Sequence, residues 1–108
     1  MAVQVLLAKT AGAGASSTVT CDGNAHIVIG MRALDSSNKE IAIGQYVGCG
    51  IVQEDGSGTD VGRPRDECGR PVILTTPRPM VAIRDAGTYR VIKGVTINDV
   101  EIWADDGT

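Results

Sequence analysis

Apolar and polar residues alternate along short segments of this chain, and clusters of turn-forming residues separate those segments. Alternation with a period of two is typical of a half-buried β-strand. It is clearest over residues 88–93, where Tyr89, Val91 and Lys93 face one side of the strand and the intervening residues face the other. No run of apolar residues at helical spacing extends over a useful length. The pattern therefore predicts an all-β protein.

About eight short strands, spaced roughly ten residues apart, follow from this pattern. The predicted strands cover residues 3–8, 17–21, 26–34, 41–46 with a continuation across a bend at 48–52, 72–75, 80–84 and 88–93, and one or two closing strands lie over residues 95–104. Short, evenly spaced strands with turns between them are typical of a β-sandwich or a barrel. We predict a single β domain over residues 1–108, folded as a β-sandwich or a jelly-roll-like barrel.

The composition agrees with a β fold and limits the size of its core. The chain has 108 residues, 43% of them hydrophobic, with 14 Gly and no Phe. Valine and isoleucine, which favour strands, outnumber leucine. A core of small aliphatic side chains gives modest stability, which oligomerisation could supplement. No apolar run approaches the roughly 20 residues that span a bilayer, and no signal-peptide pattern is present, so neither a membrane span nor a secretory signal is predicted.

The charge is slightly negative and unevenly distributed. A net charge of −3 and an isoelectric point of about 4.9 argue against a nucleic-acid-binding protein, which usually carries a basic domain. Seven basic and four acidic residues lie between Asp60 and Lys93, whereas the last eleven residues carry four acids and no base. This distribution is either an ordinary solvated surface or a pair of complementary patches that meet between neighbouring molecules.

Residues 53–71 form a long polar segment with little periodicity, and loops beyond about 12–15 residues in compact domains are usually functional or disordered. The segment contains Arg63, Arg65 and Arg70. Arginine makes bidentate hydrogen bonds to carboxylates, and the prolines in the segment limit the entropy lost on docking. We predict that these three arginines contact an acidic neighbour, with a mobile, solvated loop as the alternative.

Candidate catalytic and metal-binding residues are sparse. Cys21, Cys49 and Cys68 are widely spaced and form no CxxC pair, so reduced thiols are predicted, with one disulfide and a spare thiol as the alternative. The single histidine, His26, follows the strand alternation as a surface or core-edge residue. The glycine-rich stretch at residues 12–14 lacks a phosphate-binding Gly-Lys-Ser/Thr, and the paired acids lack the spacing of a calcium loop. We therefore predict no enzyme, no cofactor and no metal site.

Trp103 is the one tryptophan of the chain and is a candidate interaction residue. Large aromatic side chains bury much apolar area, so Trp103 either completes the edge of the core or faces a partner or a sugar. Tyr46 and Tyr89 are the only other aromatic residues that could form a sugar-stacking platform.

Three segments of the chain resemble small virion proteins of tailed bacteriophages. Residues 6–16, a short strand followed by a loop of Thr, Gly, Ala and Ser, resemble the start of many such proteins. Residues 86–91, with Gly87, Tyr89, Arg90 and Val91, resemble their late G-x-Y-R-V strand, and residues 100–104 fit their last strand. The middle of the chain, with its three cysteines and the arginine-containing segment, departs from that pattern.

The resemblance implies a non-enzymatic β-sandwich protein of the virion. It favours a capsid cement, or decoration, protein that stabilises the head by contacts with the major capsid protein or another virion protein; a head–tail accessory role is also compatible with it. Such a protein is made in the host cytoplasm, lies on the capsid surface, forms a dimer or trimer, and contacts neither nucleic acid nor membrane. The alternative function is a carbohydrate- or receptor-binding module of a tail or fibre, in which Trp103 or Tyr46 faces the ligand.

Overall fold

Two antiparallel β-sheets pack against each other in the computed structural model, and one of them curls into a half-barrel. The structure describes residues 3–55, 57, 59–64 and 68–105. This part of the chain forms eleven strands and no helix. The predicted all-β class and sandwich or barrel architecture are therefore confirmed, although the strands are more numerous and several are shorter than the sequence pattern indicates.

Sheet 1 has β11 (Val100–Asp105) and β4 (Ile27–Leu34) at its centre. β1 (Val3–Thr10) pairs with the other side of β11 and forms one edge of the sheet. β9 (Met80–Ile83) and β5 (Glu40–Ile41) both pair with the other side of β4, β9 near its start and β5 near its end. The first and last strands of the fold are thus direct neighbours.

Sheet 2 is built around two long strands, β10 (Gly87–Lys93) and β6 (Gly48–Glu54). Each long strand pairs with two short strands along the edge that faces away from the other long strand. β10 pairs there with β2 (Gly14–Ala15) and β3 (Val19–Cys21), and β6 pairs with β7 (Asp60–Gly62) and β8 (Ile73–Thr75). A short turn carries the chain from β8 in sheet 2 to β9 in sheet 1. The edges of the two sheets therefore come together where β8 meets β9.

Strand alternation determines which side chains meet between the sheets, because successive residues of a strand point to opposite faces. In β10, Tyr89, Val91 and Lys93 share one face, as the sequence pattern predicts, and that face is buried while Ile92 on the other face is exposed. Aliphatic and sulfur-containing side chains make up the rest of the core: Leu6, Val19, Cys21, Ile27, Ile29, Met31, Ala33, Val47, Cys49, Ile51, Leu74, Val81, Ile83, Val100, Ile102 and Ala104. Tyr89 is fully buried among them and supplies the largest side chain of this core.

Lys93 is buried at the end of β10, with only 2% of its surface exposed. Its ammonium group donates hydrogen bonds to the carbonyl oxygens of Gly12, at 2.8 Å, and Gly94, at 3.0 Å. Burial lowers the pKa of Lys93 because the charged form loses its hydration. The two hydrogen bonds join the loop that follows β1 to the loop that follows β10.

The predicted strand over residues 41–46 is wrong beyond its first residue. Residues 42–47 form a loop despite their alternation, because Gly44 adopts a φ of +84° that is incompatible with a strand. The side chain of Thr76, and not a neighbouring strand, bonds to the backbone of this loop. The hydroxyl group of Thr76 donates to the carbonyl of Gln45 at 2.7 Å and accepts from the amide of Val47 at 2.8 Å.

The segment 53–71, predicted as one long polar loop, begins with a β-hairpin. β6 extends to Glu54, and the chain turns back into β7. Asp55 closes the turn, since its carboxylate accepts from the amides of Ser57 at 2.8 Å and Thr59 at 3.0 Å. Aspartate favours such turns because its side chain bonds to the backbone two residues ahead. The prediction of a single loop is therefore wrong for the first half of the segment.

The three cysteines, all among the described residues, form no disulfide, which confirms the predicted reduced thiols. Cys21 and Cys49 are buried, whereas Cys68 is exposed. The thiol of Cys21 donates to the carbonyl of Ala25 at 3.3 Å. His26 is exposed, in agreement with its predicted surface position.

We expect the free energy of unfolding to fall as the pH rises above about 9, the ordinary pKa of a thiol. Burial raises the pKa of the Cys49 thiol, and burial together with the carboxylate of Asp85 raises the pKa of Tyr89. A raised folded-state pKa means that the folded protein holds a proton that the unfolded chain has already released, so alkali favours unfolding. The lowered pKa of Lys93 acts in the opposite direction below pH 10.5.

Urea unfolding at several pH values between 7 and 11 measures this dependence. Replacing Cys49 by Ala together with Tyr89 by Phe should flatten the alkaline decline, because both ionisable groups are removed. Cys68→Ala is the matched control, because it removes an exposed thiol and should leave the decline unchanged. An alkaline decline that persists in the double variant would contradict the assignment.

Candidate interaction surface

Four residues form one cross-strand row on the outer side of sheet 1. The strand registers place Val5 opposite Trp103, Trp103 opposite Gly30, and Gly30 opposite Met80, so the row crosses β1, β11, β4 and β9. Residues paired in antiparallel strands project from the same face. This face points away from the core, because the adjacent residue Ile102 is fully buried. Val5 is 53% exposed and Met80 is 56% exposed.

The indole of Trp103 lies across Gly30. A Cβ atom built on Gly30 would overlap Cζ2 and Cε2 of Trp103 and would lie 2.9 Å from its Nε1. Only glycine therefore leaves room for the ring in this position, and the ring in turn buries Gly30. Trp103 itself remains partly exposed, so its side chain packs on the sheet and presents the rest of its surface to solvent.

The next row extends the apolar surface towards one end of the sheet. It consists of Val3, Asp105, Val28 and Ala82, in that order across the same four strands. Val3 is 55% exposed, Ala82 is exposed and Val28 is partly buried. We call the apolar members of both rows the outer patch: Val3, Val5, Val28, Met80, Ala82 and Trp103. Contiguous exposed apolar surface of this kind marks an interaction site more often than scattered apolar residues do.

An ion pair borders the outer patch on the same face. Glu101 and Arg32 stand opposite each other in β11 and β4. Nε and Nη2 of Arg32 donate to Oε1 of Glu101 at 2.9 Å and 2.8 Å. The side chain of Glu101 is only 11% exposed, so the pair is partly shielded from water. The two charges neutralise each other, so this border of the patch carries no net charge.

Of the arginines predicted to contact a partner, Arg63 lies far from Trp103 in the fold. Arg63 is exposed and its guanidinium lies over the outer side of sheet 2, because a Cβ built on Gly50 would lie 2.9 Å from its Nη1. Arg70 is also exposed, and Arg65 lies outside the described residues. Arg63 and Trp103 therefore occupy opposite faces of the sandwich. Contact of these arginines with an acidic neighbour stays a prediction.

Arg90 of sheet 2 forms ion pairs that its place in the G-x-Y-R-V strand does not predict. Its Nε lies 3.0 Å from Oε2 of Glu54 and its Nη2 lies 2.6 Å from Oδ1 of Asp60. The two acids belong to β6 and β7, so Arg90 of β10 connects the hairpin to the sheet. Part of the basic charge between residues 60 and 93 is thus neutralised within the fold.

A second group of apolar side chains is exposed at one end of the sandwich. Tyr46, Val95 and Ile97 are 72%, 76% and 72% exposed. They lie on two loops, residues 42–47 and 94–99, that are joined by hydrogen bonds from the amide of Ile97 to Gln45 Oε1 and from Asn98 Nδ2 to carbonyls of the first loop. Of the one or two closing strands predicted over residues 95–104, only the part from Val100 onward forms a strand, and residues 95–97 lie in a loop, so this group is not apparent from the sequence.

Within the part of the chain that the structure describes, no three His, Cys, Asp or Glu side chains are grouped so that they could hold a metal ion. None of the described segments forms a helix that is long and apolar enough to cross a membrane. Comparison of the chain with protein-family models, with curated proteins and with solved structures gives no match.

Proposed function

We propose that this protein is a structural component of a bacteriophage virion, a capsid cement protein that stabilises the head through protein–protein contacts. The observation that carries the proposal is the outer patch, in which a tryptophan and exposed aliphatic side chains form a continuous row across four strands of a sheet. Aromatic residues and methionine are enriched at protein interfaces. The resemblance of residues 6–16, 86–91 and 100–104 to phage virion proteins supports the choice of the capsid as partner.

The chemistry of the outer patch favours a protein surface over a carbohydrate. Sugar-binding sites combine an apolar contact with several placed hydrogen-bonding groups. Along the row of Trp103, the flanking side chains are Val5 and Met80, which offer no strong hydrogen-bonding group. The charged side chains in the two neighbouring rows are Arg32 and Glu101, which already bond to each other, and Asp105. Burial against a protein surface would remove Val5, Met80 and the indole from water, and one acceptor on that surface would satisfy the indole N–H.

A cement protein has to contact the capsid and, as a homo-oligomer, its own copies. The outer patch and the group formed by Tyr46, Val95 and Ile97 are two separate apolar surfaces on different elements. This separation supports an assignment of the outer patch to the capsid and of the loop group to contacts between copies. In this proposal the protein is a dimer or trimer on the capsid surface, and it has no enzymatic role.

Co-sedimentation with capsids tests the proposed function. Purified protein is mixed with particles of the phage that encodes it, after removal of the resident copies, and the bound fraction is measured on a gradient. Val5→Asp together with Met80→Asp should weaken binding by at least about tenfold, because two charges are placed in the centre of the contact. Val61→Asp with Ile92→Asp is the matched control, since both residues are exposed and belong to sheet 2.

Two results would contradict the proposal. If the parent protein does not bind particles, the virion assignment is wrong, and glycan binding through Trp103 or Tyr46 becomes the next test. If the parent and the Val5/Met80 variant bind equally, the outer patch is not the contact surface. The same assay with Arg63, Arg65 and Arg70 replaced by Ala tests the predicted arginine contact. The loss of binding relative to the parent should be largest at low salt, where charge contributes most.

A further inference from the structure

A cleft of about 710 Å³ opens along one side of the sandwich, between the edge strands β8 and β9. Val72 and Ile73 line it from the β8 side, and Val81 and Ala82 line it from the β9 side. The cleft lies where the edges of the two sheets come together but do not pair with each other. It is separate from the loop group at the end of the molecule and borders the outer patch at Ala82.

Some backbone N–H and C=O groups of β9 point away from β4, towards the cleft. The amide of Met31 donates to the carbonyl of Pro79 at 2.9 Å. This bond shows which residue pairs between β4 and β9 are joined by backbone hydrogen bonds. In an antiparallel pair the residues that bond to the partner alternate with residues that bond to the other side. Val81 therefore bonds towards β4, whereas Met80 and Ala82 direct their N–H and C=O groups away from it. Among the described strands, β9 pairs with β4 alone.

Positive charge lies on the walls of the cleft. Arg78 and Arg84 both line it, both are exposed, and neither forms an ion pair with a described residue. Asp85 is the one acid among the described lining residues. The described lining residues are thus apolar at the centre of the cleft and together carry a net positive charge. Such a cleft attracts a carboxylate-bearing segment and disfavours a basic one.

We propose that this cleft binds an extended acidic segment of another protein, which adds to sheet 1 as a strand beside β9. The backbone of the segment would bond to Met80 and Ala82, as in other cases of strand addition to an exposed sheet edge. Its alternate side chains would contact Val72 and Ile73, and its carboxylates would lie near Arg78 and Arg84. This site goes beyond the proposed capsid contact, because it uses the backbone edge of β9 and the cleft walls, whereas the capsid contact uses the side chains of Met80 and Ala82 on the outer face.

Titration of the 15N-labelled full-length protein with two short peptides tests the inference. One peptide alternates glutamate with valine, and the other alternates lysine with valine. The glutamate peptide should shift the amide resonances of Met80, Ala82 and Arg84, whereas the lysine peptide should not. Arg78→Ala together with Arg84→Ala should weaken binding of the glutamate peptide at least tenfold.

Two further variants separate charge from backbone pairing. Lys39→Glu is the control for net charge, since Lys39 is an exposed residue in the turn before β5, and it should bind the glutamate peptide as the parent does. Ala82→Pro removes an amide that bonds to no described strand, so it should leave the fold intact and abolish binding. The amide spectrum of each variant without peptide reports whether the fold is retained.

Three outcomes would overturn the inference. Equal binding of the two peptides would show that charge does not select the ligand. Shifts confined to Val3, Val5 and Trp103, with none at Arg84, would place the peptide on the proposed capsid contact. No shift at millimolar peptide would show that the edge of β9 accepts no strand. None of these outcomes decides whether the protein binds capsids, so failure of this inference leaves the proposed function to its own assay.

Discussion

A valine in place of Gly30 is expected to destabilise the protein by about 1–3 kcal/mol, the usual cost of overpacking, and to abolish binding through the outer patch. The Cβ atom would overlap Cζ2 and Cε2 of Trp103, so the indole would have to leave the sheet. Once displaced, the ring could not lie in one row with Val5 and Met80. Urea unfolding measures the stability change, and capsid co-sedimentation measures the loss of binding.

A second variant tests whether overlap with the indole of Trp103 causes the loss of stability in Gly30→Val. In a Trp103→Ala protein the atoms that the new valine would overlap are gone, so Gly30→Val should cost much less there than in the parent. A double-mutant cycle over the two positions measures the coupling directly. If Gly30→Val costs the same in both backgrounds, the ring of Trp103 is not what requires glycine at this position.

Replacing Tyr89 by alanine is expected to lower the free energy of unfolding by about 3–5 kcal/mol, as for other large aromatic residues removed from a core. Tyr89 is fully buried, and its hydroxyl donates to the carbonyl of Asp85 at 2.8 Å. The core has no other aromatic side chain that could fill the cavity among the described residues. Total stabilities are only about 5–15 kcal/mol, so a substantial fraction of the variant should be unfolded near physiological temperature.

Tyr89→Phe is the matched control for this prediction. It keeps the ring and removes only the hydrogen bond to Asp85, so it should cost about 0.5–1.5 kcal/mol. Thermal and urea unfolding of both variants provide the comparison. A cost below about 1 kcal/mol for the alanine variant would mean that the core collapses around the vacated space, contrary to the tight packing expected of protein interiors.

The sequence predicts the central strands well because each has enough residues for alternation to be visible. In β10, the pattern places Tyr89, Val91 and Lys93 on one face, and the structure buries that face. The same criterion fails at residues 42–47, which alternate equally well. There, Gly44 takes a positive φ and the hydroxyl of Thr76 supplies the bonds that a neighbouring strand would otherwise supply. The periodicity of a sequence reports the polarity of its side chains. It does not show whether a backbone conformation or a side-chain hydrogen bond replaces the pairing with a neighbouring strand.

The candidate surface could be predicted only in part. The alternation of Val100, Ile102 and Ala104 already indicates that Trp103 faces the other side of its strand. That Gly30 lies beneath the indole and Met80 stands beyond it depends on the register of β11, β4 and β9, which sequence-distant pairings determine. The open edge of β9 is likewise a property of sheet order, which local sequence patterns do not reveal.

The burial of Lys93 restricts where chemical labels can be attached to this protein. The chain has three lysines, and the amine of Lys93 is both buried and bonded to two carbonyls. The amine of Lys9 donates to the carbonyl of Asp35 at 2.7 Å in a half-buried position. Among lysines, amine-reactive dyes and cross-linkers should therefore modify Lys39 first. A label there lies beyond the end of β4 that pairs with β5, and so reports on particle binding without covering the outer patch or the cleft beside β9.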